Sequence, residues 1–201
     1  FRLESGDLFM EMIYKLLRSL KWTCSRFLYM NTLKMRIRKV RQKENIRVLF
    51  AVAETATWKN DTLYKAMLKH PRFTPLLLIL PDEQKEANLS KEEVDLCFDF
   101  FFKRGYACSY PYQNGKLINI RKVLKPDIIF YQKPYKAYPR SLLYYKNMNA
   151  LFCYTNYAFH SLLEEWANEN AFFRLVWQNY YENESAYADL KKKFSEVSSN
   201  V

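Results

Sequence analysis

PDIIFYQKPYKAYPRSLLYYKNMNALFCYTNYAFHS, running from Pro126 to Ser161, holds two short apolar runs, Asp127 to Tyr131 and Ala150 to Tyr154. Both are rich in β-formers, and each leaves its strand into a polar, aromatic loop. A helix-length segment, Pro139 to Asn147, lies between them, so the unit reads strand, loop, helix, strand, loop. A crossover of that length joins parallel strands. Ligands of an open parallel sheet collect at the carboxyl ends of its strands. Those ends are here Gln132-Lys133-Pro134-Tyr135 and Thr155-Asn156-Tyr157-Ala158-Phe159-His160.

Strand and helix alternate on the N-terminal side as well. Ile46 to Ala53 is a continuous apolar run, the kind buried on both faces of a parallel sheet. An amphipathic helix is expected over Asn60 to Lys69, with Leu63, Tyr64, Met67 and Leu68 inward and Pro71 ending it. Phe73 to Leu80 is the second strand, stopped by Pro81. Ser90-Lys-Glu-Glu93 reads as a capping box opening a helix to Arg104, with Gly105 as its C-terminal cap. A third strand over Ala107 to Tyr112, a turn at Asn114-Gly115 and a brief helix from Ile118 to Leu124 lead into the central unit. After it come Leu162 to Asn168, a strand-like or mixed Phe172 to Trp177 and a polar helix from Ser185 to Phe194. Strict alternation predicts an α/β fold, a Rossmann-like doubly wound parallel sheet over residues 46–194, with 195–201 a frayed tail.

Residues 1–45 form a basic arm. They carry eleven Lys or Arg against four Asp or Glu, and so hold most of the chain's net charge of +11. From Leu8 to Leu20, apolar side chains at Leu8, Phe9, Met12, Ile13, Leu16, Leu17 and Leu20 draw one stripe down a helix, continued by Cys24, Phe27 and Leu28. The run is too short and too charged to span a bilayer, and no small-residue cleavage site follows it. Two readings fit. One is an amphipathic helix at an anionic membrane surface, helped by the basic residues Lys34, Arg36, Arg38, Lys39 and Arg41. The other is a helix covered by the domain or by a second subunit, a homo-oligomer through the N-terminal helix.

Composition narrows the chemistry. At 201 residues the chain makes one α/β domain, and starting at Phe1 it reads as a fragment. Only Gly6, Gly105 and Gly115 occur, so no Gly-rich phosphate loop can be written. Cys24, Cys97, Cys108 and Cys153 are widely spaced and there are only two histidines, so no metal site and no cofactor are expected. Lysines interleaved with aromatics invite a nucleic-acid reading, but no recognition signature supports it, and no nucleic acid is expected.

Candidate site residues follow from position. His160 lies beyond a strand end, where an imidazole can deprotonate a hydroxyl. Trp58 and Asp61 follow the first strand, as an aromatic plane and a carboxylate for a polyol or sugar-like ligand. Asp61 serves equally well as a helix N-terminal charge. Gln132, Lys133 and Tyr135 sit beyond the fourth strand, with Lys133 suited to a phosphate. Asn156 stands at the end of the fifth. His70, ahead of Pro71, reads as a helix C-terminal partner, and Asp127 as a strand-start residue.

Trp58-Lys-Asn-Asp-Thr-Leu-Tyr64, His70-Pro-Arg-Phe73, Lys125-Pro-Asp-Ile-Ile-Phe-Tyr-Gln-Lys-Pro-Tyr135 and Cys153-Tyr-Thr-Asn-Tyr-Ala158 together resemble the N-terminal half of bacterial CDP-glycerol glycerophosphotransferase-like proteins of teichoic-acid and capsule type. The resemblance covers about residues 46 to 180. It implies the acceptor-side half of a two-domain GT-B architecture, with CDP-glycerol held by a C-terminal domain missing from this chain. Such a metal-independent transferase moves glycerol phosphate to a lipid-linked acceptor, working in the cytoplasm as a peripheral protein at the inner face of the cell membrane. Where polymerising relatives carry a Trp-His-Gly stretch with the base, this sequence has Tyr157 and Ala158. The catalytic candidates are accordingly His160 and Tyr157, although an ordinary tyrosine is a poor base at neutral pH. The departure also leaves a second reading, a non-catalytic membrane-associated Rossmann-like interaction module.

Overall fold

Continuous apolar runs flanked by turn-formers become parallel strands here because helices on the sheet's faces keep them dry. The computed structural model describes residues 5–81, 87–133, 147–155 and 175–180, together with Glu184, Ser185 and Ala188. Helix α1 (Ser5–Arg41) leads into strand β1 (Ile46–Val52), a 3₁₀ turn (Thr55–Thr57), helix α2 (Asp61–Lys69), strand β2 (Phe73–Ile79) and helix α3 (Ala87–Phe102). Next come β3 (Cys108–Ser109), β4 (Tyr112–Gln113), β5 (Lys116–Leu117), α4 (Ile120–Val123), β6 (Ile128–Tyr131), β7 (Leu151–Thr155) and β8 (Gln178–Tyr180). Six strands form one sheet in the order β3-β2-β1-β6-β7-β8, every neighbouring pair parallel. That is the Rossmann-like order, and the chain reverses direction across the sheet between β1 and β6.

The predicted crossover is present in its strands. Ile128 pairs with Leu151 and Tyr131 with Tyr154 in parallel register. The intervening helix expected at 139–147 lies outside the described residues except for Asn147, which starts the turn feeding β7 (Ala150 N to Asn147 O, 2.9 Å). Asp127 is the strand-start residue. Its carboxylate accepts from the Arg47 backbone N–H at 3.0 Å and from Lys43 Nζ, stitching the entry of β6 to that of β1.

Gly105 caps α3 as expected, with φ +78°. Its N–H reaches Phe102 O at 3.0 Å and Tyr106 N reaches Phe101 O at 3.2 Å, the paired bonds of a Schellman ending. The other end of this helix differs from expectation. Ser90 lies inside α3, which already runs from Ala87, so the capping-box pattern does not mark its start. The third strand is also shorter than read. β3 stops at Ser109, and Tyr112 joins a hairpin of β4 and β5 whose two-residue loop, Asn114 and Gly115, has φ of 51° and 71°. Two successive positive φ values are what such a loop needs to match strand twist. On α2, Tyr64 is buried and Leu63 and Met67 pack against the core, whereas Leu68 faces solvent. The last strand falls at Gln178–Tyr180, just past the run expected to form it, with Leu175 and Val176 buried ahead of it. Leu162 to Asn168, most of the helix expected over 185–194 and the tail lie outside the described residues.

The basic cluster after the apolar stripe forms the last turns of the same α1. Tyr29, Leu33 and Val40 on one face of that helix join the core, with the Tyr29 ring stacked on Phe152 of β7 at 5.3 Å. The Arg72 guanidinium closes the helix end, donating to Arg41 O at 2.6 Å and Lys43 O at 2.9 Å. A helix end leaves carbonyls unpaired, and a cationic fork satisfies them while opposing the negative dipole end.

Candidate functional site at the switch point

The carboxyl ends of β1 and β6 flank the point where strand order reverses, the place where open sheets of this order form their ligand crevice. From β1 the chain passes through Ala53 and Glu54 into the 3₁₀ turn, whose carbonyl at Glu54 accepts from Thr57 Oγ1 at 2.9 Å and Thr57 N at 3.3 Å. β6 ends in Gln132 and Lys133, both buried. Gln132 Nε2 donates to Thr57 O at 2.7 Å and so ties one loop to the other. Lys133 Nζ lies 3.2 Å from Glu54 Oε1, with the lysine side chain 10% exposed and the glutamate 32%. Asn60, also buried, donates from Nδ2 to Thr155 Oγ1 at 2.9 Å, which brings in the end of β7. Three strand ends thus converge through a carboxylate, an ammonium, two amides and a hydroxyl.

Of the residues singled out from sequence, Gln132 and Lys133 stand in this crevice. Trp58 lies in the loop beside it but packs edge-on into an aromatic cluster. Its ring centroid is 5.5 Å from Phe50, 5.6 Å from Phe101 and 6.1 Å from Tyr106. Asp61 opens α2, where it accepts from Lys65 Nζ at 2.8 Å and from the Tyr106 hydroxyl. Those bonds, from Lys65 first and then Tyr106, hold its carboxyl below the usual carboxylate range. Asp61 therefore serves as the helix N-terminal charge. His70 accepts from Arg72 N through Nδ1 at 3.2 Å in the turn after α2, a structural use. Tyr135, Asn156, Tyr157 and His160 lie outside the described residues.

Glu54 was not singled out from sequence, though a signal was there: it is the first charged residue past the first strand, in a loop with no glycine. The same loop explains what the crevice does not do. No Gly-rich turn exposes backbone N–H groups to a pyrophosphate, and the amino end of α2 already carries its own carboxylate.

The arm presents a second surface. At 3.6 residues per turn, Met12, Leu16, Leu17, Leu20, Phe27 and Leu28 point about 80° to 160° away from the centre of the face that carries Tyr29, Leu33 and Val40. All six are exposed, and Lys34, Arg38 and Arg41 continue along the same outward side. Lys39 is exposed at its flank. Arg36 departs from this group. Its guanidinium turns inward, donating to the carbonyls of Tyr29 at 2.6 Å, Met148, and Ala150 at 3.4 Å, and it lies 3.7 Å over the Tyr29 ring. Arg36 is a docking residue of the fold and is not available to a membrane surface. Among the described residues no helix is long and apolar enough to cross a membrane.

No protein-family model matches the chain, and no curated protein matches it.

Proposed function

We propose that this chain is the acceptor-side domain of a CDP-glycerol glycerophosphotransferase-like enzyme of bacterial cell-envelope polysaccharide synthesis, working at the inner face of the membrane. The observation that carries the reading is the crevice at the switch point: polar, lined from three strand ends, and without the glycine-rich loop that a nucleotide-binding half would show. A site of that kind suits an acceptor better than a nucleotide. The sequence stretches that resemble this family contribute to it directly, through Asn60, Gln132, Lys133 and Thr155. Support for the membrane comes from the outward face of α1, apolar for its first part and basic after it.

In this reading the acceptor hydroxyl oxygen bonds to the β-phosphorus of CDP-glycerol. The bond from that phosphorus to the oxygen of the CMP moiety breaks, CMP leaves with the electron pair, and the hydroxyl proton passes to a base, with His160 and Tyr157 the candidates. The test is CMP release from CDP-glycerol by the intact protein with lipid-linked acceptor. Wild type is expected to turn over. Either His160→Ala or Tyr157→Phe is expected to lose about 10²–10⁴-fold, the usual worth of a positioned base. If the wild type releases no CMP with any acceptor, the transferase reading gives way to the non-catalytic interaction module.

A further inference from the structure

Helix α1 lies on one face of the sheet, and α2 and α3 on the other. Phe50, Phe130 and Cys153 are register partners and share a face. The Phe50 ring meets Tyr64 of α2 at 6.0 Å, and Trp58 joins Phe50 to Phe101 of α3. Phe152, next to Cys153, points to the opposite face, where Tyr29 of α1 stacks on it. Helix α1 also runs against the strands. Arg36 bonds the carbonyls of Met148 and Ala150 at the entry of β7, and Tyr29, two turns earlier in the helix, meets Phe152 further along the strand. The helix from Ser5 to Leu28 is about 36 Å long at 1.5 Å per residue. Strand β7 ends at Thr155, about 10 Å past Phe152. Most of that stretch of helix therefore lies beyond the carboxyl edge of the sheet.

Charge divides between the two faces in the same way. Helix α1 carries nine Lys or Arg against two Asp or Glu, whereas α2 and α3, with Lys103 and Arg104 that follow, carry five of each. The side of α1 turned from the sheet is apolar from Met12 to Leu28, and Met35 prolongs it at 69% exposure among the exposed Lys34, Arg38, Lys39 and Arg41. A surface with apolar chains beneath anionic headgroups complements such a face along its whole length. We propose that an anionic bilayer covers the outward face of α1 from end to end, so that the domain lies flat on it. Helix α1 is then held between bilayer and sheet, the strands run parallel to the bilayer plane, and α2 and α3 form the side away from it. This orientation rests on the membrane reading above and adds to it which face is down and where the strands' carboxyl ends point, along the bilayer rather than away from it.

The experiment places an environment-sensitive fluorophore at single sites of the whole chain, on vesicles of phosphatidylglycerol and phosphatidylcholine whose acyl chains carry a spin-label quencher. Cys24 and Met35→Cys report the two parts of the α1 face, and Leu96→Cys, exposed on α3, reports the opposite side. Cys108, and Cys24 where it is not the labelled site, are changed to serine. Both α1 labels are expected to shift to the blue and lose most of their emission, and the α3 label to do neither. Quenching at Cys24 without quenching at Met35→Cys would mean that the helix enters end-on, and quenching at Leu96→Cys that another face meets lipid. Either result overturns the orientation and leaves the membrane reading standing. A blue shift at Cys24 without lipid, growing with protein concentration, would assign the face to a second copy, and no vesicle binding by the wild type would remove the membrane reading and the orientation together. Hydrogen exchange on the unsubstituted chain covers the case of a variant that misfolds. The same vesicles should slow exchange along α1 and leave α2 and α3 unchanged, and slowing in α2 and α3, or none in α1, overturns the orientation.

Discussion

Asp61 offers the clearest pH signature at the level of single residues. Its carboxyl is held low by Lys65 and Tyr106, so its contribution to stability is present above the unfolded carboxylate pKa of about 4 and is lost as pH falls through the lower folded value. Thermal melts of wild type and Asp61→Asn should therefore differ more at pH 7 than at pH 3. An equal gap at both pH values would mean the substitution acts through something other than charge. Asn179 makes a prediction of opposite sign. Its buried amide on β8 finds no hydrogen-bond partner among the described residues, and burying an unpaired amide costs about 1–3 kcal/mol. Asn179→Val should raise the melting temperature; a drop would reveal a partner for the amide. The residue roles legible in sequence were those fixed by local position, such as Asp127 at its strand start and Gly105 at its helix end. Glu54 and Arg36 were not, because their partners lie 79 and 112 residues away along the chain. Spacing within a motif says nothing about such pairings.

Helix α1 carries the predictions that belong to a whole element. Its docking depends on Arg36, which ties three carbonyls and covers the Tyr29 ring. Arg36→Ala should cost about 1.5–3 kcal/mol in denaturant unfolding. Arg36→Lys should recover only part of that, since an ammonium cannot reproduce the planar fork. A substitution of no effect would mean that Tyr29, Leu33 and Val40 hold the helix without it. On the outward face, Leu16→Glu with Leu20→Glu should leave the melting temperature unchanged and abolish co-sedimentation with phosphatidylglycerol vesicles. A lowered melting temperature would show that another protein surface covers this stripe instead. The sequence revealed the stripe but not where the helix ends, because basic residues serve equally well in a solvated linker and in a helix's last turns. For the same reason of ambiguity, the capping-box pattern at Ser90 was overruled: the helix continues on its N-terminal side, and a local signal cannot report that. Strands were more legible than caps, since a run buried on both faces must be apolar throughout.

Across the whole molecule, the parallel, doubly wound architecture was the part of the fold that sequence could anticipate, because alternating strands and helices allow few topologies. What it could not supply was which loops meet. The crevice exists because β1, β6 and β7 bring Glu54, Lys133 and Thr155 to one edge, and that adjacency is a product of the winding. The same winding has a consequence for synthesis. The face of α1 that packs inward waits for Met148, Ala150 and Phe152, more than a hundred residues later in the chain. At 5–20 residues per second, that is on the order of 6 to 20 s during which the helix leaves the ribosome with both faces uncovered. Any surface that its outward face prefers is therefore within reach before the domain behind it exists.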